Sequence, residues 1–105
     1  MAKKILEKQI EAYFVDQVET KLGGEALKLE VKGRRGWPDR LVILPQGEIY
    51  FVELKTMHGR LSRAQELRAI RLQDLQHRVE HMWTIEAVDN WINYMVKHLE
   101  EIFID

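Results

Sequence analysis

Asp39, Glu53 and Lys55 are the residues whose types and spacing best suit a chemical site. Two carboxylates held side by side repel each other, and the pKa of one rises unless a cation lies between them. A hard divalent ion, Mg²⁺ or Mn²⁺, fits such a pair, because it binds one or two carboxylates together with water and substrate phosphate. Lys55 would then orient or deprotonate a water molecule, which indicates metal-assisted hydrolysis of a phosphodiester. The alternative is a cross-strand salt bridge between Lys55 and one of the acids.

The elements that must bring these residues together are two nearly continuous apolar runs, RLVIL (40–44) and EIYFVEL (48–54). Such runs are typical of central strands covered on both faces. The intervening PQG segment (45–47) has a glycine available for a left-handed conformation, so a β-hairpin is predicted.

The register of this hairpin decides whether the acids meet. If it turns symmetrically, Asp39 lies directly opposite Glu53, and facing Cβ atoms are about 4.5–5.5 Å apart. A turn centred half a residue later would instead place Asp39 opposite Leu54. Lys55 lies two residues after Glu53 and therefore projects from the same face of the strand.

The remaining patterns predict helices and strands around the hairpin. An apolar residue at every fourth position predicts a first helix over 2–22, ended by a Gly-Gly pair. Further strands are predicted over 26–32 and 78–85, and further helices over 62–76 and around an apolar stripe from Val88 to Phe103. The order α-β-β-β-α-β-α predicts an α/β fold with a mixed central sheet flanked by helices, in which the crossover helix returns the last strand parallel to its predecessor.

Composition narrows the class of protein. The 105 residues, 46% of them hydrophobic, predict a single domain over 1–105 with one modest core. The absence of cysteine excludes thiolate metal sites, and no apolar run approaches the length of about 20 residues that spans a bilayer, so we expect a soluble, cytoplasmic protein.

The net charge is −1, yet residues 32–78 hold ten Lys and Arg against five Asp and Glu. This basic middle suits nucleic-acid binding or, alternatively, a solvated charged surface.

Four segments carry a resemblance to a known family: GWPDR (36–40), YFVELKT (50–56), GRLSRAQ (59–65) and LQHRVE (75–80). In this order they resemble the VRR-Nuc family, the virus-type replication-repair nucleases of the PD-(D/E)xK superfamily. The resemblance covers roughly residues 7–92 and implies a restriction-endonuclease-like core. It also implies a small stand-alone phage or bacterial type, similar in fold and pairing to Holliday-junction resolvases.

The resemblance implies a role for each site residue. Asp39 and Glu53 match the family's metal-binding carboxylates, and Lys55 matches its catalytic lysine. The backbone carbonyl of Leu54 is implied as an additional metal ligand. Glu11 matches the acid of the first helix that completes the catalytic metal site; the alternative is an ordinary surface residue at the margin of the apolar stripe.

Gln65 matches the family's glutamine on the crossover helix, near the catalytic lysine. The same residue also belongs to a Ser-x-x-Gln capping box begun by Ser62, in which both side chains satisfy free N–H groups of the helix. Both interpretations of Gln65 therefore stay open at the level of sequence.

Basic residues cluster in sequence around the predicted site, and we expect them to contact DNA phosphates, which gives affinity but no sequence information: Arg34, Arg35, Arg40, His58, Arg60 and Arg63. His77, His81 and His98 have no metal-ligand spacing and are expected to be structural. Trp37 is expected to pack against its neighbours rather than to wedge between bases.

Together these features predict a Mg²⁺- or Mn²⁺-dependent, structure-selective DNA endonuclease that acts on Holliday-type junctions or other branched DNA. If the protein is phage-encoded, it would act in the cytoplasm of the bacterial host. The apolar stripe continues to Ile102 and Phe103, so part of the last helix, or a neighbouring sheet edge, is predicted to form a homodimer interface. The alternatives are a non-catalytic DNA-binding or scaffold protein on the same fold and a restriction-type nuclease, which the short chain disfavours.

Overall fold

The helices and strands follow the predicted order. A computed structural model describes residues 6–103. Its elements are α1 (Glu7–Leu22), β1 (Glu25–Lys28), β2 (Arg40–Ile43), β3 (Ile49–Leu54), α2 (Arg63–Asp74), β4 (Arg78–Met82) and α3 (Ile85–Phe103). Residues 2–5 of the predicted first helix lie outside the described residues.

The four strands form one mixed sheet in the order β1-β2-β3-β4. β1, β2 and β3 are antiparallel neighbours, whereas β4 runs parallel to β3, as the crossover through α2 requires. The predicted hairpin register is confirmed, because Arg40 faces Val52 and Ile43 faces Ile49. A short 3-10 turn, Pro45–Gly47, joins β2 to β3 and places Gly47 at φ 74°.

β1 and β4 are shorter than the sequence patterns predict, because their partner strands end. β1 stops at Lys28, which faces Arg40, the first residue of β2. β4 stops at Met82, which faces Leu54, the last residue of β3. The next residues turn toward α3, where the Thr84 hydroxyl caps the helix by accepting a hydrogen bond from the N–H of residue 87 at 2.9 Å.

The helices cover the two faces of the sheet unequally. α1 and α3 pack against each other on one face and enclose a core that includes Phe14, Val52, Leu54 and Trp91. α2 packs over β4 on the opposite face, where β1 and β2 retain exposed apolar side chains. Within residues 6–103, no helix is both long enough and apolar enough to cross a bilayer.

Candidate active site

The hairpin places Asp39 and Glu53 on the face of the sheet that α2 partly covers. Continuing the β2–β3 register by one pair from Arg40 and Val52 brings Asp39 opposite Glu53, as predicted. Asp39 is held in place by the backbone N–H of Leu54, which donates a hydrogen bond to its Oδ2 at 3.1 Å. This contact fixes the first carboxylate directly beside the strand that carries the second.

Glu53 is the most unusual residue of the site. Its exposure is only 2%, which is rare for an ionisable side chain. Its Oε1 accepts a hydrogen bond from Gln65 Nε2 at 3.0 Å and lies 3.8 Å from Lys55 Nζ. Its Oε2 is buried without any hydrogen-bond partner. A buried carboxylate oxygen without a partner is costly to the fold, so its presence here points to a ligand.

The electrostatics of the pair depart strongly from those of free carboxylates. Burial, reinforced by the negative charge of Asp39, raises the pKa of Glu53 to about 8, and the Lys55 ammonium opposes this rise only in part. Without a cation the pair therefore holds a proton at neutral pH. The salt bridge of the alternative interpretation is present, since Lys55 Nζ lies 3.8 Å from one oxygen of Glu53, but it leaves the other oxygen unpaired.

The donor set fits a hydrated divalent ion. No three His, Asp and Glu side chains among residues 6–103 come close enough to hold a metal ion. The Asp39–Glu53 pair nevertheless offers two carboxylates, one with a free buried oxygen. Two carboxylates suffice for Mg²⁺, which keeps several waters and accepts substrate phosphate. The backbone carbonyl of Leu54, between Glu53 and Lys55, remains a predicted further ligand.

Gln65 reconciles the two interpretations left open by the sequence. Its Oε1 accepts a hydrogen bond from the Ser62 N–H at 2.8 Å, and its own N–H donates to Ser62 Oγ at 3.1 Å. The capping box therefore forms. The opposite end of the same amide, Nε2, donates to Glu53. Capping fixes the amide, so the helix start orients the donor that reaches the buried carboxylate.

Glu11 is half-buried on α1, directly after the buried Ile10. The structure does not gather it with Asp39 and Glu53 into a three-acid cluster. Its role as a metal ligand therefore stays a prediction of the family resemblance.

The predicted DNA-contacting residues have unlike surroundings. Arg34, Arg35, His58 and Arg60 are exposed. The other two are engaged within the protein: Arg63 pairs with Glu66 at 3.2 Å, and Arg40 donates to the Ala26 carbonyl at 3.3 Å. The strand register also places Arg40 on the α1 face, away from the carboxylate pair.

Two residues near the site could not be identified from the sequence. His81 faces Glu53 in the parallel β3–β4 pairing, and burial lowers its pKa, which favours the neutral ring. Arg68 lies over the Trp37 ring, with its guanidinium carbon 4.6 Å from the ring centroid. Trp37 also packs against Phe51, so its predicted packing role is confirmed. No sequence signal gives the register of a parallel pair or the docking of a loop on a helix.

The fold is an α/β domain with a mixed sheet, and comparisons with known proteins identify it as a nuclease domain. No family model matches the chain. A protein named "Putative nuclease p44", from Acyrthosiphon pisum secondary endosymbiont phage 1, is 45% identical over 75 residues, which cover 71% of this chain and 80% of the phage protein. A solved structure described as a VRR_NUC domain matches with a TM-score of 0.78 at 34% identity, and the match covers 83% of this chain and 94% of that one. The chain belongs to the VRR-Nuc family, and its fold is the one that the resemblance implied.

Proposed function

We propose that this protein is a divalent-metal-dependent, structure-selective DNA endonuclease that hydrolyses phosphodiester bonds in Holliday-type junctions or other branched DNA. The observation that carries the proposal is the buried Glu53 carboxylate, which has one unpaired oxygen and lies beside Asp39 and Lys55. Membership of the VRR-Nuc family and the phage protein named as a nuclease support the nuclease part of the proposal.

Asp39 and Glu53 would hold Mg²⁺ or Mn²⁺, which as a Lewis acid would polarise the scissile phosphate and stabilise the charge that develops on it. The two carboxylates must both be ionised to do so, and Gln65 supports the ionised form of Glu53 by donating to it. The structure does not gather Glu11 of α1 with this pair, so its role as a further metal ligand is proposed from the family resemblance alone. This arrangement belongs to the PD-(D/E)xK class of phosphodiester hydrolases.

In this proposal Lys55 would act on the attacking water. Its side chain is 19% exposed, so the ammonium is partly shielded by protein while it remains accessible to a substrate. In hydrolysis the water oxygen forms a bond to phosphorus, one P–O ester bond breaks, and a proton passes to the leaving oxygen. Lys55 would orient the water and neutralise charge on the phosphate during this exchange.

The proposed substrate preference depends on two copies of the chain acting together. α2 covers only part of its sheet face, and on the remainder of that face Leu27, Ile43 and Ile49 are exposed. Most of the apolar stripe of α3 is buried in the chain's own core, Ile102 is exposed, and the side chain of Phe103 lies outside the described residues. The sheet face is therefore the better candidate for the dimer surface, and a two-fold pair would present two sites to the paired strands of a junction.

Cleavage of a four-way junction, a flap and a linear duplex in Mg²⁺, Mn²⁺ and EDTA tests the proposal. We expect metal-dependent cleavage of the branched substrates and a rate about 10²–10⁴-fold lower for Lys55→Ala. Lys97→Ala, an exposed lysine of α3, is the matched control and should cleave like the wild type. Binding without cleavage in any metal would contradict the proposal and favour a DNA-binding scaffold, and cleavage of duplex at a fixed sequence would favour a restriction-type nuclease.

Light scattering tests the dimer separately. We expect twice the monomer mass for the wild type and monomers for Ile49→Glu, because the substitution places a charge in the apolar face. A monomeric wild type with and without DNA would contradict the proposed dimer but would not contradict the proposed hydrolytic site.

A further inference from the structure

A groove lined by arginines lies beside α2, outside the carboxylate site. Its volume is about 340 Å³, and its walls are formed by Arg35, Ala64, Leu67, Arg68 and Arg71. Three of these five residues are arginine and none is acidic. Arg68 and Arg71 do not belong to the sequence cluster around the hairpin, so this groove is a feature of the folded chain.

No salt bridge within the described part of the chain neutralises the cations of this groove. Arg63 and Arg78 pair with carboxylates at 3.2 and 3.0 Å. In contrast, no carboxylate among residues 6–103 lies within 4 Å of Arg35, Arg68 or Arg71. Like charges spaced three residues apart on a helix, as Arg68 and Arg71 are, destabilise it slightly. An anion bound between them would remove that cost.

The groove is also organised before any ligand arrives. The Arg68 guanidinium stacks on Trp37, which rests in turn on Phe51 of β3. Two donors at this stack, Arg68 Nε and Trp37 Nε1, are buried without an acceptor. A guanidinium fixed by stacking loses little further freedom when it binds a phosphate, whose oxygens match its planar set of donors.

A glycine docks the Arg35 loop against α2. Gly36 has φ +85°, and a Cβ on it would lie 2.3 Å from the carbonyl oxygen of Ala64 in the first turn of α2. Only glycine lets the backbone approach this closely. The neighbouring Arg35 is thereby brought to the same groove as Arg68 and Arg71.

The groove lies at a suitable distance from the carboxylates for a single DNA strand. Gln65 reaches Glu53, and Arg68 and Arg71 follow it by three and six residues on α2. At a rise of about 1.5 Å per residue, they lie roughly 4.5 and 9 Å further along the helix. Successive phosphates of one strand advance about 3.4 Å along a duplex axis and also rotate about it, so a neighbouring phosphate lies at a distance of this order.

We propose that the arginine groove of α2 binds a backbone phosphate of the DNA strand that flanks the phosphate at the Asp39–Glu53 pair. This inference rests on the proposed function, since it takes DNA as the substrate. Arg68 and Arg71 are then binding residues that set the path of the strand along α2. They contribute affinity and position without reading sequence.

Fluorescence anisotropy with a labelled four-way junction in EDTA tests the groove without cleavage. We expect Arg71→Gln to weaken binding about tenfold at moderate salt, as the loss of one charged hydrogen bond predicts. The double variant Arg68→Gln/Arg71→Gln should also lower the slope of log K against log salt by about one, the value for a single phosphate contact. The control Lys97→Gln removes an exposed charge of α3 and should change neither quantity beyond a small general effect.

The possible outcomes distinguish the groove proposal from the nuclease proposal. An affinity and salt slope equal to those of the wild type in both groove variants would overturn the groove, even if the wild type cleaves DNA. A lower salt slope with a wild type inactive in every metal would support the groove and contradict the nuclease. Arg71→Gln leaves the stack on Trp37 intact, so weaker binding by that variant cannot be attributed to loss of the stack.

Discussion

Replacing Glu53 by a neutral residue should stabilise the metal-free protein near neutral pH, because the folded protein must keep this buried carboxyl protonated where the unfolded chain ionises it. The pKa of Glu53 is 4.5 in an unfolded chain and about 8 in the folded protein. Between these values the folded state binds more protons than the unfolded state, so the free energy of unfolding falls as pH rises. Each pKa unit corresponds to about 1.4 kcal/mol, so the interval amounts to about 5 kcal/mol, of which about 3 kcal/mol is lost by pH 7.

Glu53→Gln keeps the shape of the side chain and removes this titration. In EDTA we expect the wild type to lose stability from pH 5 to pH 8 in chemical denaturation followed by circular dichroism. The variant should lose much less and be the more stable protein at pH 8. The comparison isolates Glu53, because Glu80 and His81, whose pKa values burial also shifts, are present in both proteins.

Glu19→Gln is the control for this prediction, since Glu19 is an exposed acid of α1. It should follow the wild type at every pH. The reasoning would be refuted if the wild type were equally stable at pH 5 and pH 8 in EDTA, or if Glu53→Gln were the less stable protein at pH 8.

Three further predictions concern the metal, the Gly36 loop and the helix cap. The affinity for Mn²⁺, measured by calorimetry, should rise about tenfold per pH unit below pH 8, because binding releases the proton held by Glu53. An affinity independent of pH would contradict the release of this proton. Gly36→Ala should lower the unfolding free energy by about 2–4 kcal/mol in denaturant titration, since alanine would be strained at this φ and its Cβ would clash with Ala64. A change below about 1 kcal/mol would count against the described loop geometry. Ser62→Ala should lower the unfolding free energy by about 1 kcal/mol, because it removes the helix cap. Cleavage should remain measurable, because the Gln65 amide still reaches Glu53. Complete loss of cleavage in a folded variant would show that the cap does more than stabilise α2.

The part of the site that depends on local sequence could be predicted. Two apolar runs and the turn chemistry between them specify the hairpin, and a symmetric turn places Asp39 opposite Glu53. Two successive same-face positions then put Lys55 beside Glu53. These contacts follow from the period of a strand and need no knowledge of the rest of the fold.

Features set by long-range packing could not be predicted. The burial of Glu53 depends on α2 lying over the sheet, and the sequence does not fix the position of that helix. The arginine groove depends on Gly36 meeting the first turn of α2, a contact between segments that are 28 residues apart at Gly36 and Ala64. Strand ends were overestimated for the same reason, since a strand stops where its partner stops, as at Lys28 and Met82.

The most direct test of the central claim is single-turnover cleavage of a four-way junction in Mg²⁺ by the wild type and by Glu53→Gln. Because the variant is expected to be at least as stable as the wild type without metal, loss of activity cannot be ascribed to unfolding. We expect metal-dependent cleavage by the wild type and a rate for Glu53→Gln no greater than that of the wild type in EDTA. Cleavage by Glu53→Gln at the wild-type rate would contradict the assignment of the Asp39–Glu53 pair as the catalytic metal site.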